Sequence, residues 1–282
     1  MLTSNIHKNK NIILIIGQNK VNYFFEKSIN IYKCRHDINK IVLVTWENEN
    51  INSIKNDLDI IVILVPQIKF DLSILYQKYL YDIGIQYIIN NYKDEDEEIY
   101  VLKTRMDVII SNDQLNFIFN QNYKLDNGNN LFPYKLWIPW VHITCPFYNE
   151  DCCFYSNLLT MKNMSPYTDK LFTWAGHSNI RWFINLAKNF NLYNDESLFN
   201  NYEKMKTEFE LNEININILM KYRQCVKKMF IINTVNNGVI FRNWNNINFY
   251  KKPSNKLIDI INNQHQANLK IVYKNEDFNK IS

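Results

Sequence analysis

"NIILIIGQ", residues 11–18, is an unbroken aliphatic run stopped by a glycine and a polar residue. A strand covered on one face alternates apolar and polar side chains. A run without alternation belongs to a strand covered on both faces, the usual state of a parallel strand. Parallel strands need crossovers, and "VNYFFEKSINIYKC" (21–34) supplies one, with apolar residues at helical intervals. "KIVLVTW" (40–46) and "DIIVILV" (59–65) then give a second and a third strand. "DLSILYQKYLYDIGIQYIINNY" (71–92) spaces Leu72, Leu75, Tyr79, Ile83 and Ile85 as a mostly helical stripe, with Gly84 as a kink or a tight packing contact. "YVLKTRMDVII" (100–110) opens as a fourth strand. This alternation predicts an α/β fold, and such open sheets bind ligands beyond the carboxyl ends of their strands. Gly17, Glu47 and Asp107 fall there.

The fourth strand carries an anomaly. In an extended segment Lys103, Arg105 and Asp107 point one way while Leu102, Thr104 and Met106 point the other, so one face is charged and the other is core. Burying an unpaired charge is costly, so these three must pair with one another, reach water at the sheet end, or meet a charged ligand.

Beyond it, "SNDQLNFIFNQNYKLDNGNN" predicts a short helix and a polar turn, and "KLWIPWVHITCPFYNEDCCFYS" (135–156) two strands around a loop. From 157 the character changes: "SNLLTMKNM", "SNIRWFINLAKNF" and "EFELNEININILMKYRQCVKKMFIIN" read as helices, with a small mixed tail from 230 onward. The expected organisation is a core over 1–165 and a mainly helical region over 166–282, a subdomain or lid packed on that core.

Composition narrows the function classes. The 282 residues carry 32 basic and 28 acidic side chains, a formal net charge of +4 that is too small and dispersed for a nucleic-acid surface. Hydrophobic residues make up 46%, which excludes disorder for most of the length. The five cysteines form no CxxC pair, so a reduced, cytoplasmic setting is expected. The opening "MLTSNIHKNKNIILIIG" reads as a first strand rather than a signal or a membrane span, leaving at most peripheral membrane contact, through a segment such as "RNWNNINFYKKP" (242–253).

No Walker pattern, zinc spacing or nucleophile elbow is present. The acidic run "KDEDEE" (93–98) reads as solvated surface. Glu150 and Asp151, between a Pro-containing loop and "CCFY", offer either a general base or a turn or helix cap. His142 reads as a core imidazole. His177, after a rare glycine in "WAGHSNIRWF", is a candidate ligand contact. A carboxylate at a strand end can hold Mg²⁺ or Mn²⁺ against a diphosphate, with Lys or Arg beside it on phosphate oxygens; internal salt-bridging explains the same triplet.

Several ordered pieces resemble the WavE-type lipopolysaccharide-synthesis family of glycosyltransferases, which has bacterial and large-DNA-virus members: "IILIIGQ", "KIVLVTWENE", "YQKYLYDIG", "YVLKTRMD" and "DCCFYSNLLTMKNM". The resemblance spans roughly residues 11–165 in order. It implies a GT-A-like, Rossmann-type mixed sheet flanked by helices, with a C-terminal helical subdomain, and transfer of a sugar from a nucleotide-sugar donor to a glycan or glycolipid acceptor. Carried over, Gly17, Gln18, Thr45, Trp46, Glu47, Gln77, Lys103 and Arg105 become donor-binding. Asp107 becomes a metal ligand for Mn²⁺ or Mg²⁺ and a catalytic residue, and Asp151 a catalytic base if the reaction inverts. Arg105 stands where the family's Asp-x-Asp pattern has its first acid, and after residue 165 the chain has "AGHSNIRWF" where a Glu-bearing segment is expected. The alternatives are a catalytically inactive nucleotide-sugar-binding module and a structural virion protein that keeps the fold; a viral member would act in the host cytoplasm or the virion.

Overall fold

The computed structural model describes residues 10–19, 22–54, 57–69, 73–92, 98–120, 135–139, 152–164, 224, 228–232 and 240–242. Strand β1 (Lys10–Ile16) is followed by helix α1 (Asn22–Lys33), β2 (Lys40–Trp46), β3 (Ile60–Val65), α2 (Ser73–Tyr92) and β4 (Ile99–Arg105). The chain continues through β5 (Val108–Ile110), α3 (Asn112–Phe119), β6 (Leu136–Ile138), β7 (Phe154–Asn157), α4 (Leu158–Asn163), β8 (Phe230–Ile232) and β9 (Ile240–Arg242).

Seven strands form one mixed sheet in the order β3-β2-β1-β4-β7-β6-β8, and β5 pairs with β9 in a second, two-stranded sheet. β1, β2, β3 and β4 are mutually parallel, whereas β7 runs antiparallel to both β4 and β6. This is the mixed α/β sheet flanked by helices that the sequence predicts. β8 and β9, from beyond residue 165, join the two sheets directly. At the end of the segment 208–233, read in the sequence as helical, Phe230–Ile232 form strand β8.

The faces follow from the winding. α1 carries the chain from β1 outward to β2, and α2 carries it back from the edge to β4. Right-handed crossovers in opposite directions lie on opposite faces. One face accordingly packs Ile13, Ile15, Leu43 and Leu102 with Phe25, Ile29 and Tyr32 of α1 and Leu115 and Ile118 of α3. The other packs Leu14, Val42, Val44 and Val101 with Leu80, Tyr81, Ile85 and Ile88 of α2 and Met161 of α4. Gly84 is the tight contact rather than a kink. A Cβ there would stand 2.4 Å from Leu14 Cδ1 and 3.1 Å from Val44 Cγ2, so only glycine lets α2 lie this close to β1 and β2.

Local signals set the short helices. Ser111 caps α3 by accepting from Gln114 N–H at 3.3 Å, with Asp113 in the first turn, and Asn157 caps α4 by accepting from Leu159 N–H at 2.7 Å.

The predicted fourth strand differs from its sequence reading. Residues 100–110 are two strands, β4 and β5, joined by a turn at Met106 and Asp107. β4 is not charged on one face and apolar on the other, because it lies mid-sheet with helices on both sides: Lys103 is as fully buried as Leu102 and Thr104. No helix among the described residues is long and apolar enough to cross a membrane.

Candidate functional site

The strand order reverses between β1 and β4. β1 leads outward through β2 to β3, and the chain then returns to lay β4 on the other side of β1. At such a switch point the connections leave in opposite directions and open space beyond the carboxyl ends of the two strands. Ile16 pairs with Arg105, and Met106 N–H donates to Ile16 C=O at 3.3 Å. Gly17 and Asp107 therefore leave the sheet side by side. Gly17 has φ of 118°, a conformation that side-chain-bearing residues rarely adopt, and its carbonyl accepts from Thr45 Oγ1 at 2.7 Å. A Cβ at Gly17 would meet nothing within 4 Å, so glycine serves the backbone angle there and not the packing.

The three charges of β4 and its turn occupy the other side of this reversal. Arg105 and Asp107 meet end-on, Nε to Oδ1 at 2.7 Å and Nη2 to Oδ2 at 2.8 Å, with both side chains largely buried. Lys103 lies between Leu14 of β1 and Phe154 of β7, its ammonium 5.0 Å from the Phe154 ring centre. A lysine here is favoured by the ring's negative face, and its backbone lies two residue pairs from the carboxyl end of the β1–β4 ladder.

α2 brings a second buried lysine to the same face. Lys78 is 3% exposed, forms an ion pair with Asp82 one turn on, and places its ammonium 5.6 Å from the centre of the Tyr81 ring. Burial holds its pKa below the ordinary lysine value, with the Asp82 charge and hydrogen bond opposing. Tyr81 stands edge-on to Phe154 at 5.9 Å and donates its hydroxyl to Met161 C=O at 2.6 Å. Beside Lys78, the Gln77 amide oxygen is shielded from solvent and has no hydrogen-bond partner among the described residues.

The loops beyond β1 and β2 are tied together. Asn19 N–H donates to Glu49 Oε2 at 2.9 Å, and Asn19 Nδ2 donates to Asn50 C=O at 2.7 Å. Glu47 N–H donates to Val65 C=O at 3.0 Å, which leaves the exposed Glu47 carboxylate at the carboxyl edge near β3.

Of the residues singled out in the sequence, Gly17, Thr45, Arg105 and Asp107 come together at the reversal, Lys103 lies two residues before Arg105 inside the sheet, and Gln18 is exposed next to Gly17. Trp46 points elsewhere: it is buried against α2, stacked on Tyr79 at 6.1 Å and edge-on to Tyr76 at 5.8 Å. Gln77 lies on α2 one turn before Tyr81. Asp151 and His177, with Glu150 and His142, lie outside the described residues. Sequence reasoning passed over Glu49 and Lys78. Glu49 was hidden behind its neighbour Glu47 in "WENEN", and Lys78 has the i,i+4 spacing to Asp82 of an ordinary surface pair.

The described residues alone do not assemble a chelating metal site around Asp107. Both Asp107 oxygens already face the Arg105 fork, and the described residues hold no cluster of three or more His, Cys, Asp or Glu side chains suited to a cation.

No known protein family's sequence pattern matches the chain, and no curated protein is similar to it. Among solved structures, the chain is similar to the glycosyltransferase GlyE of Streptococcus pneumoniae TIGR4, with 14% identity over 80% of this chain and 45% of that one and a TM-score of 0.34. It therefore spans under half the length of GlyE. It is also similar to a 4-diphosphocytidyl-2C-methyl-D-erythritol synthase, with 11% identity, 76% and 99% coverage and a TM-score of 0.36. Mouse xyloside xylosyltransferase 1 follows with 8% identity, 80% and 85% coverage and a TM-score of 0.36.

Proposed function

We propose that the chain is a glycosyltransferase that moves a sugar from a nucleotide-sugar donor to a glycan or glycolipid acceptor. The observation that carries this reading is the placement of Arg105 and Asp107 beside Gly17 at the strand-order reversal, with Lys103 two residues before Arg105 in β4, where an open α/β sheet takes its ligand.

Sugar transfer develops positive charge on the sugar ring and negative charge on the departing nucleoside diphosphate. Lys103 and Arg105 answer the second need. Fixed cations in a water-poor setting stabilise a leaving diphosphate without reorganising during the reaction. Asp107 holds the Arg105 guanidinium in one orientation and is the carboxylate nearest the β4 end of the site. Gln18 and Glu47, exposed beyond β1 and β2, are the groups offered to the nucleoside, with Thr45 fixing the Gly17 carbonyl beneath them. Asp151 remains the proposed base for an inverting reaction.

Incubation with UDP-, GDP-, CMP- and dTDP-sugars in the absence of acceptor tests the reading. Slow release of free sugar from one donor is expected, because an enzyme poised for transfer uses water when no acceptor is present. Saturable donor binding with no hydrolysis and no transfer to any glycan would instead mark an inactive binding module.

A further inference from the structure

We propose that the outer edge of β3 is a self-association surface, on which β3 of a second copy of this chain adds antiparallel about a twofold axis at Ile63. The two seven-stranded sheets then become one. This inference does not draw on the nucleotide-sugar reading.

β3 ends the strand order on its side of the sheet and pairs only with β2 among the described residues. Its sequence, IIVILV, has no charged residue. Sheet edges are ordinarily blunted by a lysine or an inward charge, because their outward N–H and C=O groups recruit other strands. Of the large hydrophobic side chains exposed among the described residues, Leu58 (94%), Leu64 (38%) and Ile68 (41%) lie on β3 or its flanks, and only Leu159 lies elsewhere.

The backbone selects the register. Glu47 N–H donates to Val65 C=O at 3.0 Å, so Val65 faces β2, and with it Ile63 and Ile61 at alternate positions. Ile60, Val62, Leu64 and Pro66 therefore face outward. Both ends of that row are closed to pairing: Ile60 N–H already donates to Asp57 C=O at 3.2 Å, and Pro66 has no N–H. The donors left are those of Val62 and Leu64. An antiparallel copy that sets Val62 against Leu64 of its mate, and Leu64 against Val62, uses both, and the ladder stops where the donors stop.

The flanks fit a second copy in the same register. Leu58 lies toward Ile68 of the other copy, which covers the two most exposed apolar side chains of the edge. Asp57 and Asp59, of which Lys33 neutralises the first, lie toward the exposed Lys69 of the other copy. The twofold axis makes each of these contacts twice.

Sedimentation equilibrium of the full chain in reducing buffer tests the proposal, with a reversible dimer expected. Leu64→Lys changes an exposed position, so it should leave the thermal unfolding of dilute protein unaltered. It should weaken the dimer about tenfold or more, since the symmetric contact carries the change twice. Lys69→Glu should weaken it too, and adding Asp59→Lys to that variant should restore it. Cys34, an exposed thiol, is replaced in Cys34→Ser for cross-linking. In that background Ile63→Cys should give a covalent dimer on mild oxidation, because paired residues at the axis stand about 4.5 Å apart, whereas Val62→Cys should not. A monomer at every concentration would overturn the proposal and mean that Pro66 and the flanking charges blunt the edge. A dimer that Leu64→Lys leaves intact, or one that Ile63→Cys fails to trap, would overturn it as well and place the contact on another face.

Discussion

Arg105 and Asp107 clasp each other end-on across the turn that ends β4, Nε to Oδ1 at 2.7 Å and Nη2 to Oδ2 at 2.8 Å. A pair of this geometry positions charge more than it stabilises the fold, because desolvation of both partners offsets most of their attraction. Breaking it from one side is different. Asp107→Ala strands the Arg105 guanidinium in a largely buried site and is expected to cost roughly 3 kcal/mol in urea unfolding. Arg105→Met with Asp107→Leu should recover most of that stability while still abolishing donor binding. Equal losses in the single and double variants would show that the two side chains are not coupled.

Thr45→Val removes the hydroxyl that holds the Gly17 carbonyl at 2.7 Å. The partly buried carbonyl loses its side-chain donor, so stability should fall by about 1 kcal/mol. Donor affinity should fall as well, since the backbone leaving β1 is no longer fixed. Unchanged donor affinity with lowered stability would confine Thr45 to a folding role.

Gly84→Ala adds a methyl group 2.4 Å from Leu14 Cδ1 in the packed centre of the α2 face. Alanine favours the helix by about 1 kcal/mol over glycine, but overpacking a core of this kind costs roughly 1–3 kcal/mol, so net destabilisation is expected. Trimming the obstacle should expose the coupling: the Leu14→Ala and Gly84→Ala changes made together should destabilise by clearly less than their sum. Additive effects in chemical denaturation would contradict the close approach.

The pH dependence of stability has a definite sign above neutrality. Burial raises the phenol pKa values of Tyr32 and Tyr81 above the ordinary 10.0. Their folded pKa values exceed the unfolded ones, so their contribution is fully present below pH 10.0 and is lost as pH rises beyond it. Each tyrosine then withdraws up to about 1.4 kcal/mol per pH unit. Tyr32→Phe should reduce this alkaline loss, visible when unfolding free energies at about pH 8 and about pH 11 are compared with the wild type. An identical alkaline slope in both proteins would mean that Tyr32 ionises freely in the folded state.

Much of this architecture was legible because hydrophobic pattern responds to coverage. β1 and β2 carry unbroken aliphatic runs, Ile12–Ile16 and Ile41–Val44, since helices lie on both faces of the sheet, and Gly84 stood out because a glycine inside a helical stripe has few reasons to be there. The end of β4 was less legible. Alternation placed Lys103, Arg105 and Asp107 on one face of a single strand, but the chain turns after Arg105, and a lysine can be buried where an aromatic ring faces its ammonium, as Phe154 does. Trp46 illustrates another limit: a motif position carries residue type, while the direction of the side chain depends on where α2 lands. Lys78 escaped because its spacing to Asp82 is the same in a solvated pair and in a buried one. Burial of one end is a tertiary fact with no local signature.

The central claim is that the reversal between β1 and β4 binds a nucleotide-sugar. Thermal unfolding of the wild type and Asp107→Asn in the presence of UDP-, GDP-, CMP- and dTDP-sugars tests it most directly, because a ligand that binds only the folded chain must raise its stability. A saturable rise in unfolding temperature with one donor, lost in Asp107→Asn, is the predicted result. No rise with any donor, or an equal rise in both proteins, would contradict the assignment of this site.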